Sequence, residues 1–258
     1  MINELTRVVK EVGIIMLEWR SSELFEGVWD GPQYKAKVDL MAHEALVDRL
    51  YKLAPEIPVI SEEDASSIVD KRPECYWLID PIDGTASFAT GYPGFVTQVA
   101  LIENYRPRLA AIYAPVLNEL YTAVSGKGAY LNGNTLRVTG TNMFETLIDN
   151  YPEPRGVTAE LYRSLDFKAY IECGSISLKI CKIADGVADV FFKSVTIRDW
   201  DIAAPHLVLE ESGGFLTDAY GNRPEYRGSY EHAGIIATQS KEANEEIVVW
   251  HKAFTKGD

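Results

Sequence analysis

Residues 77–85 read WLIDPIDGT, and the reading of this stretch decides the fold. Three apolar or aromatic side chains, Trp77, Leu78 and Ile79, run straight into Asp80 and Asp83. An unpaired buried carboxylate is strongly unfavourable, so burial alone gives no reason to end a strand this way. A positive partner is expected where the two acids meet. Strand alternation sends residues three apart to opposite faces, so a turn or helix start after the strand is needed to bring them together. Pro81 restricts that turn and Gly84 permits tight curvature. Gly84 and Thr85 then expose N–H groups at a helix start, a ready site for phosphate. Carboxylates beside a phosphate repel it unless a divalent cation intervenes, and oxygen ligands without Cys or His suit Mg²⁺ or Mn²⁺.

Around this stretch the chain of 258 residues is 47% hydrophobic and 24% charged, the mixture of a soluble globular protein of one large or two small domains. No apolar run approaches the roughly 20 residues of a membrane span. The N-terminal MINELTRVVKEVGIIMLEWR reads as an amphipathic helix rather than a signal peptide. A net charge of −13 argues against a nucleic-acid polymer as partner. It leaves room for a small anionic substrate, because a bound cation reverses the field within one cleft. Cys75, Cys173 and Cys181 show no paired spacing, which fits reduced thiols and a cytoplasmic location. His43, His206, His232 and His251 form no zinc motif.

Hydrophobic periodicity predicts a helix over 2–20 and a second over 39–53, with Asp39 as N-cap and Pro55 beyond its end. Residues 58–62 and 75–80 read as strands. From Gly94 to Gly133 the pattern is an antiparallel meander, with Asn132-Gly133 as a hairpin turn. Beyond about residue 141 strands alternate with helices: a strand near 168–172, a helix from SISLKICKIADG, a strand at ADVFF and a helix over WDIAAPHLVLEESGG. Strands near 214–217 and 233–238 and a C-terminal helix complete the chain. Layered α/β packing in two lobes is expected, 1–140 carrying most of the acids and 141–258 completing the site.

Four acidic segments stand out: Asp39, Glu62-Glu63-Asp64, Asp80 with Asp83, and Asp201. Taken singly, Asp39 reads as a helix cap, the Glu62 segment as a solvated strand end and Asp201 as an N-cap. Taken together, SEED (61–64), DPIDGT (80–85) and WDIAAP (200–205) resemble the three metal-site motifs of the inositol monophosphatase superfamily. GKGAYLNG (126–133), GSISLK (174–179) and ESGG (211–214) follow in the superfamily's order, so the resemblance covers nearly the whole chain.

The resemblance implies a layered α-β-α-β-α sandwich and a Mg²⁺-dependent phosphomonoesterase with two to three ions, lithium-sensitive and possible as a homodimer. It places Glu62, Asp80 and the Ile82 carbonyl on a first metal, Asp80, Asp83 and Asp201 on a second, and Glu62 on a third through water. It assigns Glu62 and Thr85 to the attacking water, with Asp39 bonded to the Thr85 hydroxyl. Lys35 and Ala36 stand where the superfamily usually has Val-Thr before this Asp. The Gly84 and Thr85 N–H groups would bind the phosphate. Attack is expected in line by metal-activated water, since no Ser, Cys or His is placed as a nucleophile and no P-loop is present.

Asp83, Gly84, Thr85, Gly174, Ser175, Lys179 and Asp201 are the expected substrate contacts. SEED and the lysine of GSISLK resemble the 3′(2′),5′-bisphosphate nucleotidases, in which that lysine meets a phosphate. Adenosine 3′,5′-bisphosphate is therefore the expected substrate. TASFATGYP (85–93) instead resembles inositol and histidinol phosphatases, which keeps inositol-1-phosphate, histidinol phosphate and fructose 1,6-bisphosphate as alternatives. Lys179 reads equally as a solvated helix lysine. A metal-binding module without turnover and a purely structural protein are the other classes, and the full acidic set speaks against both.

Overall fold

Alternation along one strand, β4 (Cys75–Asp83), sorts its apolar side chains onto two faces. Trp77 and Ile79 join the core formed with α1 (Ile2–Ser21) and α2 (Lys37–Leu53). Tyr76 and Leu78 join a second core on the opposite side. The computed structural model describes residues 1–22, 27–30, 33–138, 140 and 144–256, with 27–30 and 33–36 by backbone alone. Residue 141, where the second lobe is expected to begin, lies outside the described residues.

β4 lies in a seven-stranded sheet in sequential order with β3 (Val59–Ser61), β5 (Val96–Glu103), β6 (Arg106–Ala114), β7 (Glu119–Val124), β8 (Gly128–Leu131) and β9 (Asn134–Leu136). Only β3 and β4 are parallel; the rest is the expected meander. The β8–β9 turn is Asn132-Gly133, both with positive φ, as a type I′ hairpin requires.

The second sheet has the order β11-β10-β12-β14-β13, with β10 (Thr146–Asp149), β11 (Ala169–Glu172), β12 (Val190–Arg198), β13 (Phe215–Thr217) and β14 (Glu231–Thr238). Between the sheets lie α5 (Ile176–Ala184) and α6 (Asp199–Ser212), whose Leu178, Ile180, Ile202 and Leu209 share one core with both. Leu161 of α4 (Gly156–Ser164) and Ile247 of α7 (Lys241–Phe254) pack on the far face against Leu147 and Phe192. The layers run α-β-α-β-α, as expected. Among the described residues no helix is long and apolar enough to cross a membrane.

Several boundaries differ from the sequence reading. α2 begins at Lys37, so Asp39 is inside its first turn rather than at its N-cap. β4 runs on to Asp83 instead of ending at Asp80, because pairing with β5 resumes after an irregularity. The hairpin of β1 (Gly27–Asp30) and β2 (Gln33–Ala36), together with β10 and α4, has no counterpart in the sequence reading. Both the hairpin and β10 have strands of only four residues, too short for a periodic signal.

Lys182 of α5 ties the middle layer to the seven-stranded sheet, bonding Glu119 on β7 at 2.8 Å and Asp185 at 3.3 Å. The Tyr121 hydroxyl donates to Asp185 at 2.7 Å. Removing one partner of a buried ion pair costs about 3–5 kcal/mol; residual exposure at Lys182 and Glu119 lowers the expectation to about 2–3 kcal/mol. Lys182→Met should therefore lower the unfolding free energy by that amount, seen as a lower urea midpoint with an unchanged m-value, and an unchanged midpoint would contradict this account.

Candidate active site and metal centre

Asp80 and Asp83 share a face because of one extra residue in β4. Asp80 lies opposite Gln98 and Asp83 opposite Val96, so three steps on β4 match two on β5. That bulge reverses the alternation after Asp80 and turns both carboxylates toward α5 and α6. A bulge, rather than the expected turn after the strand, solves the geometry. Glu62 follows β3 directly, its N–H donating to the Ile79 carbonyl at 3.4 Å. Asp201 arrives from the first turn of α6, where its carboxylate accepts the Arg198 N–H at 2.7 Å. It is thus the third helical residue, reaching back to the cap, rather than the N-cap itself.

Oxygens of Glu62, Asp80 and Asp201 lie within 4.8 Å of one another. Glu62 is open to solvent at its outer edge, Asp201 half-buried and Asp80 buried. Asp80 Oδ1 has no hydrogen-bond partner, and its other oxygen has only a long 3.5 Å contact from Gln98. A buried carboxylate oxygen without a donor fits a cation and little else. All three carboxyls are held above their ordinary range. For Glu62 the causes are desolvation, then the charges of Asp201, Glu63, Asp83 and Asp39; for Asp80 they are burial, then Glu62 and Asp83. Asp201 is pushed up from 3.8 to about 7 by burial and then by Asp83.

Asp83 stands beside this trio. Its two oxygens accept the first N–H groups of α5, from Ile176 at 3.3 Å and Ser177 at 2.7 Å. Ser175 takes the next, accepting the Leu178 N–H at 2.8 Å, so the start of the helix is fully satisfied. Asp39 is buried, and its Oδ1 lies 3.0 Å from the Thr85 hydroxyl, which is also 3.2 Å from the Ile82 carbonyl. Gly84, at φ +91°, precedes the short helix α3 (Thr85–Thr90).

Two glycines make the closest crossing of the site. A Cβ on Gly174 would sit 2.2 Å from the Gly94 carbonyl, and one on Gly94 would sit 2.6 Å from the Gly174 nitrogen. The Ser175 N–H donates to that carbonyl at 2.8 Å, which locks the segment before α5 against the one before β5. Sequence reasoning missed Gly94, because nothing local marks a glycine that a distant backbone approaches. It also missed Ser177, whose hydroxyl donates to the Asp201 carbonyl at 2.8 Å. His43, one turn beyond Asp39, lies 2.8 Å from the Ser61 hydroxyl and braces the residue before Glu62.

Lys179 departs from one of its two readings. It is 0% exposed, so it is not a solvated helix lysine. Its ammonium bonds Asn150 and the carbonyls of Gly174, at 3.0 Å, and Cys173, at 3.4 Å. Burial lowers its pKa to about 8.

A carboxylate cluster at the meeting of two sheets and two helices, in a five-layer sandwich, is the architecture of a metal-dependent sugar-phosphatase fold. The sequence profile of the inositol monophosphatase family matches residues 6–251, and the chain belongs to that family. It is 33% identical over 191 residues to the 3′(2′),5′-bisphosphate nucleotidase CysQ of Aggregatibacter actinomycetemcomitans, spanning 70% of this chain and 71% of the relative. It is 31% identical over 231 residues to the Nus factor SuhB of Escherichia coli, 86% of each chain. The solved Thermotoga maritima IMPase, 24% identical, superposes with a TM-score of 0.82 over 98% of this chain and 96% of its own. The protein is a metal-dependent phosphomonoesterase of this family.

A pH dependence of stability follows. The folded-state value of Asp201, about 7, lies above its ordinary 3.8, so the folded protein binds that proton more tightly than the unfolded chain. The resulting stability is fully present below about pH 4 and is lost as pH rises through about 7. Metal-free protein should therefore lose this contribution between about pH 4 and pH 7. Mg²⁺ at about 100 times its Kd should raise Tm at the higher pH by about 5–10 °C, and by less at the lower. Asp80→Asn should remove the Mg²⁺ response. Calorimetric melts check both, and an Mg²⁺ shift that persists in Asp80→Asn counts against the site.

Proposed function

We propose that the chain hydrolyses a 3′(2′),5′-bisphosphate nucleotide, adenosine 3′,5′-bisphosphate by preference, with Mg²⁺. The observation that carries the phosphatase chemistry is the Glu62–Asp80–Asp201 convergence with its unpartnered Asp80 oxygen. Glu62, Asp80 and Asp201, with Asp83 and the Ile82 carbonyl beside them, are the groups to hold the metal. When bound, Mg²⁺ supplies the positive charge that acidifies water and neutralises phosphate.

The protein's own groups do the rest. With its proton directed to Asp39 Oδ1, Thr85 Oγ1 keeps its lone pairs free to accept from a water and orient it. Glu62, at the solvent-facing side of the trio, is the carboxylate placed to take that water's proton. The Gly84 and Thr85 N–H groups are the donors for the phosphate oxygens. The Gly94–Gly174 crossing and Lys179 hold the segment that precedes α5 in place beside them.

The nucleotidase relative and the SEED and GSISLK motifs support the nucleotide reading. A second reading, a small polyol monophosphate such as inositol 1-phosphate, is favoured by the burial of Lys179, whose donors are occupied by Asn150 and backbone carbonyls.

Phosphate release with Mg²⁺ from adenosine 3′,5′-bisphosphate, inositol 1-phosphate, fructose 1,6-bisphosphate and histidinol phosphate separates the readings. The expected outcome is the highest kcat/KM for the nucleotide, with Asp201→Asn losing at least about 10²-fold on every substrate. Preference for inositol 1-phosphate would select the second reading. Full turnover in Asp201→Asn would reject the site.

A further inference from the structure

Asp199 stands two residues before Asp201 and faces away from the trio. It is 0% exposed, and both its oxygens are engaged. Oδ2 accepts from Arg72 Nη1 at 2.5 Å, and Oδ1 lies 2.5 Å from His232 Nε2. Arg72, 5% exposed, lies in the segment that enters β4, 127 residues away in sequence. Its Nη1 also reaches the Tyr76 hydroxyl at 3.2 Å, and its Nη2 donates to the carbonyls of Gly228 at 3.2 Å and Ser229 at 2.9 Å. The guanidinium lies 3.6 Å from the centre of the Tyr230 ring. The Tyr230 carbonyl in turn accepts the Asp199 N–H at 2.9 Å, and the Tyr76 hydroxyl donates to the Tyr226 carbonyl at 3.0 Å.

One guanidinium thus joins three things: the strand that delivers Asp80, the helix turn that delivers Asp201, and the loop leading into β14. We propose that Arg72, Asp199 and His232 are positioning residues that set the first turn of α6, and with it the Asp201 carboxylate, at the distance from Asp80 that a shared cation requires.

One physical argument carries this. A fully buried ion pair contributes little net stability beyond what packed apolar side chains of the same volume would give, so stability alone does not account for it. Its planar, multiply bonded geometry does fix one orientation. From the other side this turn takes hydrogen bonds from the Ser177 hydroxyl, on the Asp201 carbonyl, and from the Arg198 N–H, on the Asp201 carboxylate. Partners of this kind behind a ligand typically change metal affinity by about 10–100-fold.

The inference rests on the metal site proposed above, and the test separates the two. Mg²⁺ titration calorimetry and near-ultraviolet circular dichroism would be run on Arg72→Met, Asp199→Asn and Lys182→Met, the last removing a different buried ion pair that shares no partner with these residues. Arg72→Met and Asp199→Asn should keep a native spectrum and bind Mg²⁺ at least about tenfold more weakly, with kcat recovering at high Mg²⁺. Lys182→Met should lose stability and keep its Mg²⁺ affinity. Unchanged affinity in the first two variants, or an equal loss in Lys182→Met, would overturn the proposal. Where a single variant fails to fold, the Arg72→Met/Asp199→Leu double variant, which leaves no lone buried charge, gives the reading: wild-type Mg²⁺ affinity there also overturns it. No heat of Mg²⁺ binding in the unsubstituted protein would sink the metal site itself, and the positioning role with it.

Discussion

Mutual repulsion among Glu62, Asp80 and Asp201 is the constraint to which the rest of the molecule answers. Three carboxylates within 4.8 Å would spread apart in a free chain, and each is desolvated enough to hold its proton more tightly than usual. The fold keeps them together with elements that have no freedom to yield: two paired strands and the first turn of a helix packed between two sheets. A divalent cation converts the repulsion into attraction, so metal binding and the stability of the centre are one linked equilibrium.

Backbone devices do most of the holding. The bulge in β4 places Asp80 and Asp83 on one face, and the N–H groups of α5 then take the Asp83 carboxylate. The bare backbone of Gly94 and Gly174 lets the segments before β5 and α5 meet at a distance that no Cβ tolerates. Lys179 completes this arrangement from within, bonding the carbonyls of Cys173 and Gly174.

Buried ion pairs recur at the seams between layers rather than within them. Lys182 with Glu119 and Asp185 ties α5 to the seven-stranded sheet, and Arg72 with Asp199 ties the start of β4 to α6. Apolar layers slide past one another at little cost, whereas a bidentate or multiply bonded charge fixes register. A centre built from one sheet and a helix of the middle layer needs that register held to a fraction of an ångström.

Much of this was legible in the chain itself. Layered α/β packing, the meander, the Asn132-Gly133 hairpin and most helices follow from periodicity and turn chemistry, which act locally; the α-β-α-β-α order comes from the family resemblance. The converging Glu62, Asp80 and Asp201 were legible through the resemblance of their motifs as a set, since each acid alone reads equally as a cap or a strand end. The start of α2, the continuation of β4 to Asp83, the Gly94–Gly174 approach and the burial of Lys179 were not. Each depends on a partner dozens of residues away: Thr85 for Asp39, β5 for the bulge, Asn150 for Lys179. Local preference fixes which elements form and which chemistry they carry. Only packing decides which backbone meets which, since that energy belongs to pairs the sequence brings together solely by folding.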